Sequence, residues 1–145
     1  MIPSEYVTTA TIHAPVAKVW SILIDADGYR NWNPEIIGID GRFARGERFK
    51  ARVKLGNGAV RSISMRVTAF DPPSTIEWTG GLPFGLFVGR RTFTVTPHPA
   101  GCQFQMDLRM TGLLAPLIIR SVGNRQSEID LFASALKSCA ESSAL

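Results

Sequence analysis

Arg91 is the side chain whose type and setting most demand a chemical partner. In the run Arg91, Phe93, Val95 the period-two alternation of a half-buried strand puts the arginine in phase with apolar residues. A guanidinium buried there unpaired costs several kcal/mol, so it requires an acid partner or an anionic ligand. The chemistry it offers is anchoring of a carboxylate, phenolate or enolate. A register one residue off, with Arg90 inward or with both arginines outward, is the competing reading.

Other candidates reduce to structural roles. Asp25 and Asp27 could form an acid–base dyad, but residues at i, i+2 on or beside a helix do not face each other, and capping accounts for both. Asp27 is placed to N-cap a short helix running through Tyr29. His13 and His98 each neighbour a proline at an element boundary and lack a second ligand at metal spacing. Cys102 and Cys139 also lack such spacing, and they read as buried small hydrophobes in a reducing compartment. No metal and no cofactor is expected, and no catalytic residue is assigned.

The chain has 145 residues, 45% hydrophobic and 19% charged, which suits one globular domain spanning residues 1–145. No secretory signal opens it, and no apolar run approaches the ~20 residues that span a bilayer. A cytoplasmic location is the expectation. The net charge is +4, with eight Lys/Arg and one acid, Glu47, between Arg42 and Arg66. That asymmetry raises nucleic acid or an anionic surface as partners. Yet the alternation at Arg48, Lys50, Arg52 and Lys54 describes the solvated side of a strand, and no aromatic residue interleaves there to stack bases. Neither nucleic-acid nor membrane contact is expected, and a monomer or weak homodimer is.

The elements that must position Arg91 follow from periodicity. Tyr6–Ile12 is a first strand. Val16, Val19, Trp20 and Leu23 form a helical stripe after Pro15, and Asn33-Pro34 stops a second short helix. Ile36–Ile39 is a brief strand. Phe49, Ala51, Val53 and Leu55 share one face of the next, Gly56-Asn57-Gly58 turns it, and Ile63, Met65 and Val67 continue that face. Ile76 and Trp78, then Arg91, Phe93 and Val95, then Cys102, Phe104, Met106, Leu108 and Met110 fill three further strands. The Leu82–Phe87 loop, apolar and glycine-flanked, reads as a mobile lid. Leu114, Ile118, Val122, Ile129, Phe132, Leu136 and Cys139 predict one helix of roughly 25 residues, weakened near Gly123. The plan is α+β, with the apolar face of an antiparallel sheet turned to the last helix and the cationic face turned to water.

This order of residues resembles the SRPBCC superfamily, the START-like helix-grip proteins that include polyketide cyclases/dehydratases. The matching pieces are Ile12-His13-Ala14-Pro15 leading to Val19-Trp20, then Leu23, Asp25, Tyr29 and Trp32-Asn33-Pro34. They continue through Gly46-Glu47-Arg48-Phe49, Asp71-Pro72-Pro73 before Ile76 and Trp78, and Phe93-Thr94-Val95-Thr96-Pro97. Gly112-Leu113-Leu114-Ala115-Pro116 and Ala135-Leu136-Lys137 complete them.

The resemblance implies a seven-stranded antiparallel sheet curled around a long C-terminal helix, two short helices after the first strand, and a cavity between sheet and helix. It further implies binding of a small hydrophobic molecule. The cavity is then lined by Phe49, Val53, Met65, Trp78, Phe93, Phe104, Met106, Leu108, Ile118 and Val122, with Trp32 and Asn33 closing one end and Arg91 fixing a polar end. Family members often carry His or Glu on the inward face of the last strand. Met106 and Leu108 stand there here, which favours a binding or carrier protein over the alternative, a cyclase/dehydratase- or isomerase-type enzyme. A docking module working through the cationic face is a third class, marked by salt-dependent binding.

Overall fold

Period-two alternation builds most of this molecule, seen here in a computed structural model that describes residues 2–142. The strands are β1 (Glu5–Ile12), β2 (Ile36–Asp40), β3 (Arg48–Lys54), β4 (Val60–Asp71), β5 (Thr75–Leu82), β6 (Phe87–His98) and β7 (Gly101–Thr111). They form one seven-stranded antiparallel sheet in the order β1-β7-β6-β5-β4-β3-β2. On β3, Phe49, Ala51 and Val53 are buried while Arg48, Lys50, Arg52 and Lys54 are exposed. On β7, Cys102, Phe104, Met106, Leu108 and Met110 are buried in the same alternation. The sheet therefore has an apolar inner face and a wet outer one, as the pattern demands.

The inner face curls around helices α1 (Val16–Leu23), α2 (Tyr29–Trp32), α3 (Ala115–Val122) and α4 (Gln126–Ser142). This is the helix-grip α+β architecture. Val19, Trp20 and Leu23 of α1 and Ile129, Phe132, Ala133, Leu136 and Ala140 of α4 are the buried stripes. Cys102 is buried and Cys139 half-buried, both as free thiols.

Three local expectations are corrected. Asp27 does not cap α2: it lies inside a 3₁₀ turn, Ala26–Gly28, and α2 follows Gly28 with no side-chain cap. Gly28 has φ −76° and ψ −17°, so the residue directly before α2 is itself helical and not in the extended conformation from which a capping side chain reaches back. The single long C-terminal helix is instead two helices. Gly123 has φ 77° and ψ −169°, a conformation essentially restricted to glycine, and the Asn124 carboxamide oxygen accepts from Gln126 N–H at 2.8 Å to begin α4.

The Leu82–Phe87 segment is the paired tip of the β5–β6 hairpin, with Leu82 opposite Phe87. Leu114 N–H donates to Leu86 C=O at 2.8 Å, and a Cβ on Gly112 would stand 2.6 Å from that same oxygen, so only glycine lets the β7–α3 connection lie against the tip. Phe84 at the tip has φ 60° and is 98% exposed. A bulky side chain in the left-handed region costs roughly 1–2 kcal/mol. No helix among the described residues is long and apolar enough to cross a membrane.

Candidate functional site: a buried carboxylate between two arginines

Arg91 points inward. It shares the buried side of β6 with Phe93 and Val95 and stands opposite Trp78 on β5 and Leu108 on β7. Leu108 in turn stands opposite Tyr6 on β1, so Tyr6, Leu108, Arg91 and Trp78 make one row across the inner face. All four are buried.

The acid that Arg91 requires is Glu35. Asn33-Pro34 ends α2, and the Asn33 carboxamide oxygen then accepts from the N–H groups of Glu35 (2.9 Å) and Ile36 (2.8 Å). This Asx turn re-aims the chain, and Lys54 N–H donating to Glu35 C=O at 2.8 Å pins it to the sheet edge. The Glu35 side chain is thereby directed under the sheet. Its Oε1 accepts from Arg91 Nη1 at 2.9 Å and its Oε2 from Arg91 Nη2 at 2.5 Å, a two-pronged pairing. Arg125 Nη2 donates to Oε2 at 2.6 Å. The break at Gly123 delivers Arg125 to this point. Glu35, Arg91 and Arg125 are 1%, 5% and 4% exposed.

Burial pushes the Glu35 carboxyl up, but the charge and hydrogen bonds of Arg91, and then of Arg125, hold it below the usual carboxylate range. For Arg91, burial works against the charge and Glu35 more than restores it, raising its pKa. Tyr29, whose hydroxyl donates to Leu23 C=O at 2.6 Å, is pushed well up by burial, with Arg91 opposing. Two guanidiniums thus face one buried carboxylate. Glu128 approaches Arg125 Nη1 at 3.6 Å, beyond hydrogen-bond distance.

Because the folded-state pKa of Glu35 is depressed, its stabilising contribution is complete above the usual carboxylate range, about pH 4–5, and is lost as pH falls through the folded value. Wild type and Glu35→Gln compared by thermal melts from pH 7 to pH 3 should converge in acid. Glu141, pulled down to about 2 by His13 and Lys137, loses its contribution in the same direction. It is present in both proteins, so the difference isolates Glu35.

Among the described residues, five buried polar side-chain atoms have no hydrogen-bond partner: Tyr6 OH, Trp32 Nε1, Asn33 Nδ2, Trp78 Nε1 and Arg125 Nη1. Tyr6 and Trp78 lie in the row through Arg91, Arg125 and Asn33 hydrogen-bond Glu35, and Trp32 stands on α2 against Tyr29 and Phe132. Four are obligate N–H donors and the fifth is a hydroxyl. Buried polar atoms are overwhelmingly paired in folded proteins, and these donors are the groups to which an oxygen acceptor, from water or from a ligand, can bind.

Around this polar patch the interior is aromatic. Trp78 and Phe93 rings lie 4.7 Å apart, Phe93 and Phe132 5.4 Å, Trp32 and Phe132 5.5 Å, and Phe49 and Trp78 5.1 Å. Phe104 stacks on Phe132 at 6.2 Å. These contacts join the expected residues Trp32, Phe49, Trp78, Phe93 and Phe104 into one group. Arg91 Nη1 reaches Met106 Sδ at 3.8 Å, and Leu108 flanks it. Val53 is buried on β3, while Met65, opposite Phe49, is half-buried, as are Ile118 and Val122 on α3. Two concavities, of about 380 and 360 Å³, lie elsewhere: one on the outer face around Glu77, Arg90 and Asp107, the other between β1 and α4.

Glu35 and Arg125 were not anticipated. Arg125 had a signal, since it falls in phase with Ile118, Val122, Ile129 and Phe132 on the helical stripe. Glu35 had only the requirement of Arg91 for an acid.

The fold is matched by known proteins. The family described as polyketide cyclase / dehydrase and lipid transport matches over residues 4–138, and the chain belongs to that family. A solved structure from Mesorhizobium loti is 25% identical, with 97% of this chain and 99% of that one covered and a TM-score of 0.74. A START superfamily protein from Mycobacterium smegmatis is 21% identical over 95% and 97% of the two chains, TM-score 0.72. An Arthrobacter aurescens protein reaches TM-score 0.75 at 14% identity, covering 97% of this chain and 88% of its own. No curated protein matches.

Proposed function

We propose that the chain binds a small hydrophobic molecule carrying an oxygen acceptor at one end, between the inner sheet face and helices α3 and α4. The observation that carries this reading is the set of unpartnered buried donors around Glu35 and Arg91. The acceptor end would meet Arg125 Nη1 and the Trp78 indole, while Glu35 holds both guanidiniums in place. The apolar body would lie against Phe93, Phe104, Met106, Leu108, Ile118 and Val122. Burial of that body supplies affinity at roughly 25 cal/mol per Å², and the donors select orientation. The rings already contact one another, so entry requires an element to move. Helix α3, bounded by Gly112 and Gly123 at positive φ, is the element placed to do so.

Thermal-shift and calorimetric titration with apolar carboxylic acids, phenols and 1,3-diketones tests this. Arg125→Met should bind such compounds about 10- to 100-fold more weakly, in line with loss of a charge-assisted hydrogen bond of roughly 1.5–3 kcal/mol. A hydrocarbon of the same shape should bind the two proteins alike. Equal affinity of the oxygenated ligands for both proteins would remove Arg125 from the site.

A second reading is enzymatic. The same donors would stabilise an enolate oxygen during a cyclisation or dehydration, and the family description names polyketide cyclases and dehydrases beside lipid transport. Glu35 is a poor general base in that scheme, because two arginines depress its proton affinity. Turnover of a 1,3-diketone that falls on Arg125→Met while ligand affinity falls equally would leave binding alone. A larger fall in kcat than in affinity would support catalysis.

A further inference from the structure

The antiparallel registers bring several chain segments to one end of the sheet. Lys54 pairs with Val60 across the β3–β4 turn, Leu82 with Phe87 across the β5–β6 turn, Val88 with Thr111 at the exit of β7, and Glu5 at the start of β1 with Arg109. At this end stand Ile2, Val60, Leu82, Phe84, Leu113 and Leu117, with relative exposures of 37%, 52%, 45%, 98%, 80% and 64%. Large exposed apolar side chains elsewhere are Val7 and Leu131. The concentration at one end is not the scatter of single hydrophobes that ordinary surfaces show.

The exposed charges flanking the turns at this end are cationic, and Glu5 at the start of β1 is already paired with Arg109 at 2.7 Å. No Asp or Glu occurs between Glu47 and Asp71, between Glu77 and Asp107, or between Asp107 and Glu128. Exposed Lys54 and Arg61 flank the β3–β4 turn, and exposed Arg120 follows Leu117 by three residues, on the same side of α3. Glu128, which reaches toward Gly56 in that turn, faces Arg125 at 3.6 Å. Phe84 adds a second signal. It is held at φ 60° with its ring in water, two unfavourable features in one residue.

We propose that this end of the sheet docks on an anionic lipid bilayer. Phe84, Leu82, Leu113 and Leu117 enter the boundary between headgroups and acyl chains, and Lys54, Arg61 and Arg120 lie at the level of the phosphates. A surface of apolar side chains rimmed by cations has the composition that lies in a membrane interface. The expectation of no membrane contact rested on reading the cations of β3 as a solvated strand face, whereas the surface proposed here is the end of the sheet. The charge complementarity favours lipid over a second copy of this chain, whose matching end would bring cations against cations.

Co-sedimentation with vesicles of phosphatidylcholine alone, and with about 30% phosphatidylglycerol, is the test. The chain should bind the anionic vesicles about 10-fold more tightly than the neutral ones, and high salt should weaken that binding. Phe84→Ser and Leu117→Ser should each reduce binding roughly 10-fold, and Lys54→Glu/Arg61→Glu should flatten the salt dependence. These positions are exposed, and circular dichroism checks that the variants fold. Absence of vesicle binding, or binding unchanged in all variants, would overturn the proposal. So would a concentration-dependent dimer that Phe84→Ser dissolves while vesicles go unbound.

Discussion

Glu35→Gln should unfold about 10 °C or more below wild type. The substitution keeps the shape of the side chain and removes the charge, leaving Arg91 and Arg125 buried against a neutral amide. Breaking a buried pair by removing one partner costs on the order of 3–5 kcal/mol, and a chain of this size loses roughly 2–4 °C per kcal/mol. The same physics predicts a rescue. Glu35→Leu combined with Arg91→Met and Arg125→Met replaces the whole network by apolar volume and should recover most of the loss, since a complete buried ion network adds little net stability over packed hydrophobes. Thermal and urea melts of the three proteins check both statements. A Glu35→Gln midpoint equal to wild type would mean that the triad is not desolvated as described.

The second large effect is expected at Phe132. Its ring is the point at which α4 meets the sheet, with Tyr29, Trp32, Phe93 and Phe104 at centroid distances of 6.1, 5.5, 5.4 and 6.2 Å. Phe132→Ala removes a fully buried ring and opens a cavity that strands and helix cannot both close. A cost of about 3–5 kcal/mol follows, read as a fall in urea midpoint at unchanged slope. Phe132→Leu keeps much of the volume and should cost less than half as much. Equal losses in the two variants would argue that ring contacts, and not volume, hold α4 in place.

Much of this architecture was legible from period alone. Phe49/Ala51/Val53 and Cys102 through Met110 declared both strands and facing, because a one-residue slip would turn every apolar side chain to water. The inward orientation of Arg91 was one of the readings the sequence left open, beside Arg90 inward or both arginines outward, and the packed strand decides it. Glu35 was not legible. It lies in an irregular segment between α2 and β2, where orientation depends on an Asx turn and no periodicity exists to read. Arg125 was legible in phase but was passed over as part of one continuous helix. Glycine at 123 signals weakness in a helix, whereas the actual φ of 77° is a property of the packed chain. The exposed end of the sheet was invisible for a similar reason: Val60, Leu82, Phe84 and Leu113 lie on separate segments, and only the registers assemble them.

The central claim is that the unpartnered donors beside Glu35 receive the oxygen of an apolar ligand. Proton–nitrogen NMR of the tryptophan indoles addresses it directly, because the chain has three tryptophans in different settings. Trp32 and Trp78 carry the orphan N–H groups, while Trp20 packs against Phe70 at 5.9 Å on a different part of the core. During titration with apolar acids and 1,3-diketones, the Nε1–H signals of Trp32 and Trp78 should move downfield as they gain an acceptor, and that of Trp20 should stay. Saturable binding that leaves both signals in place, or that moves Trp20 alone, would contradict the account.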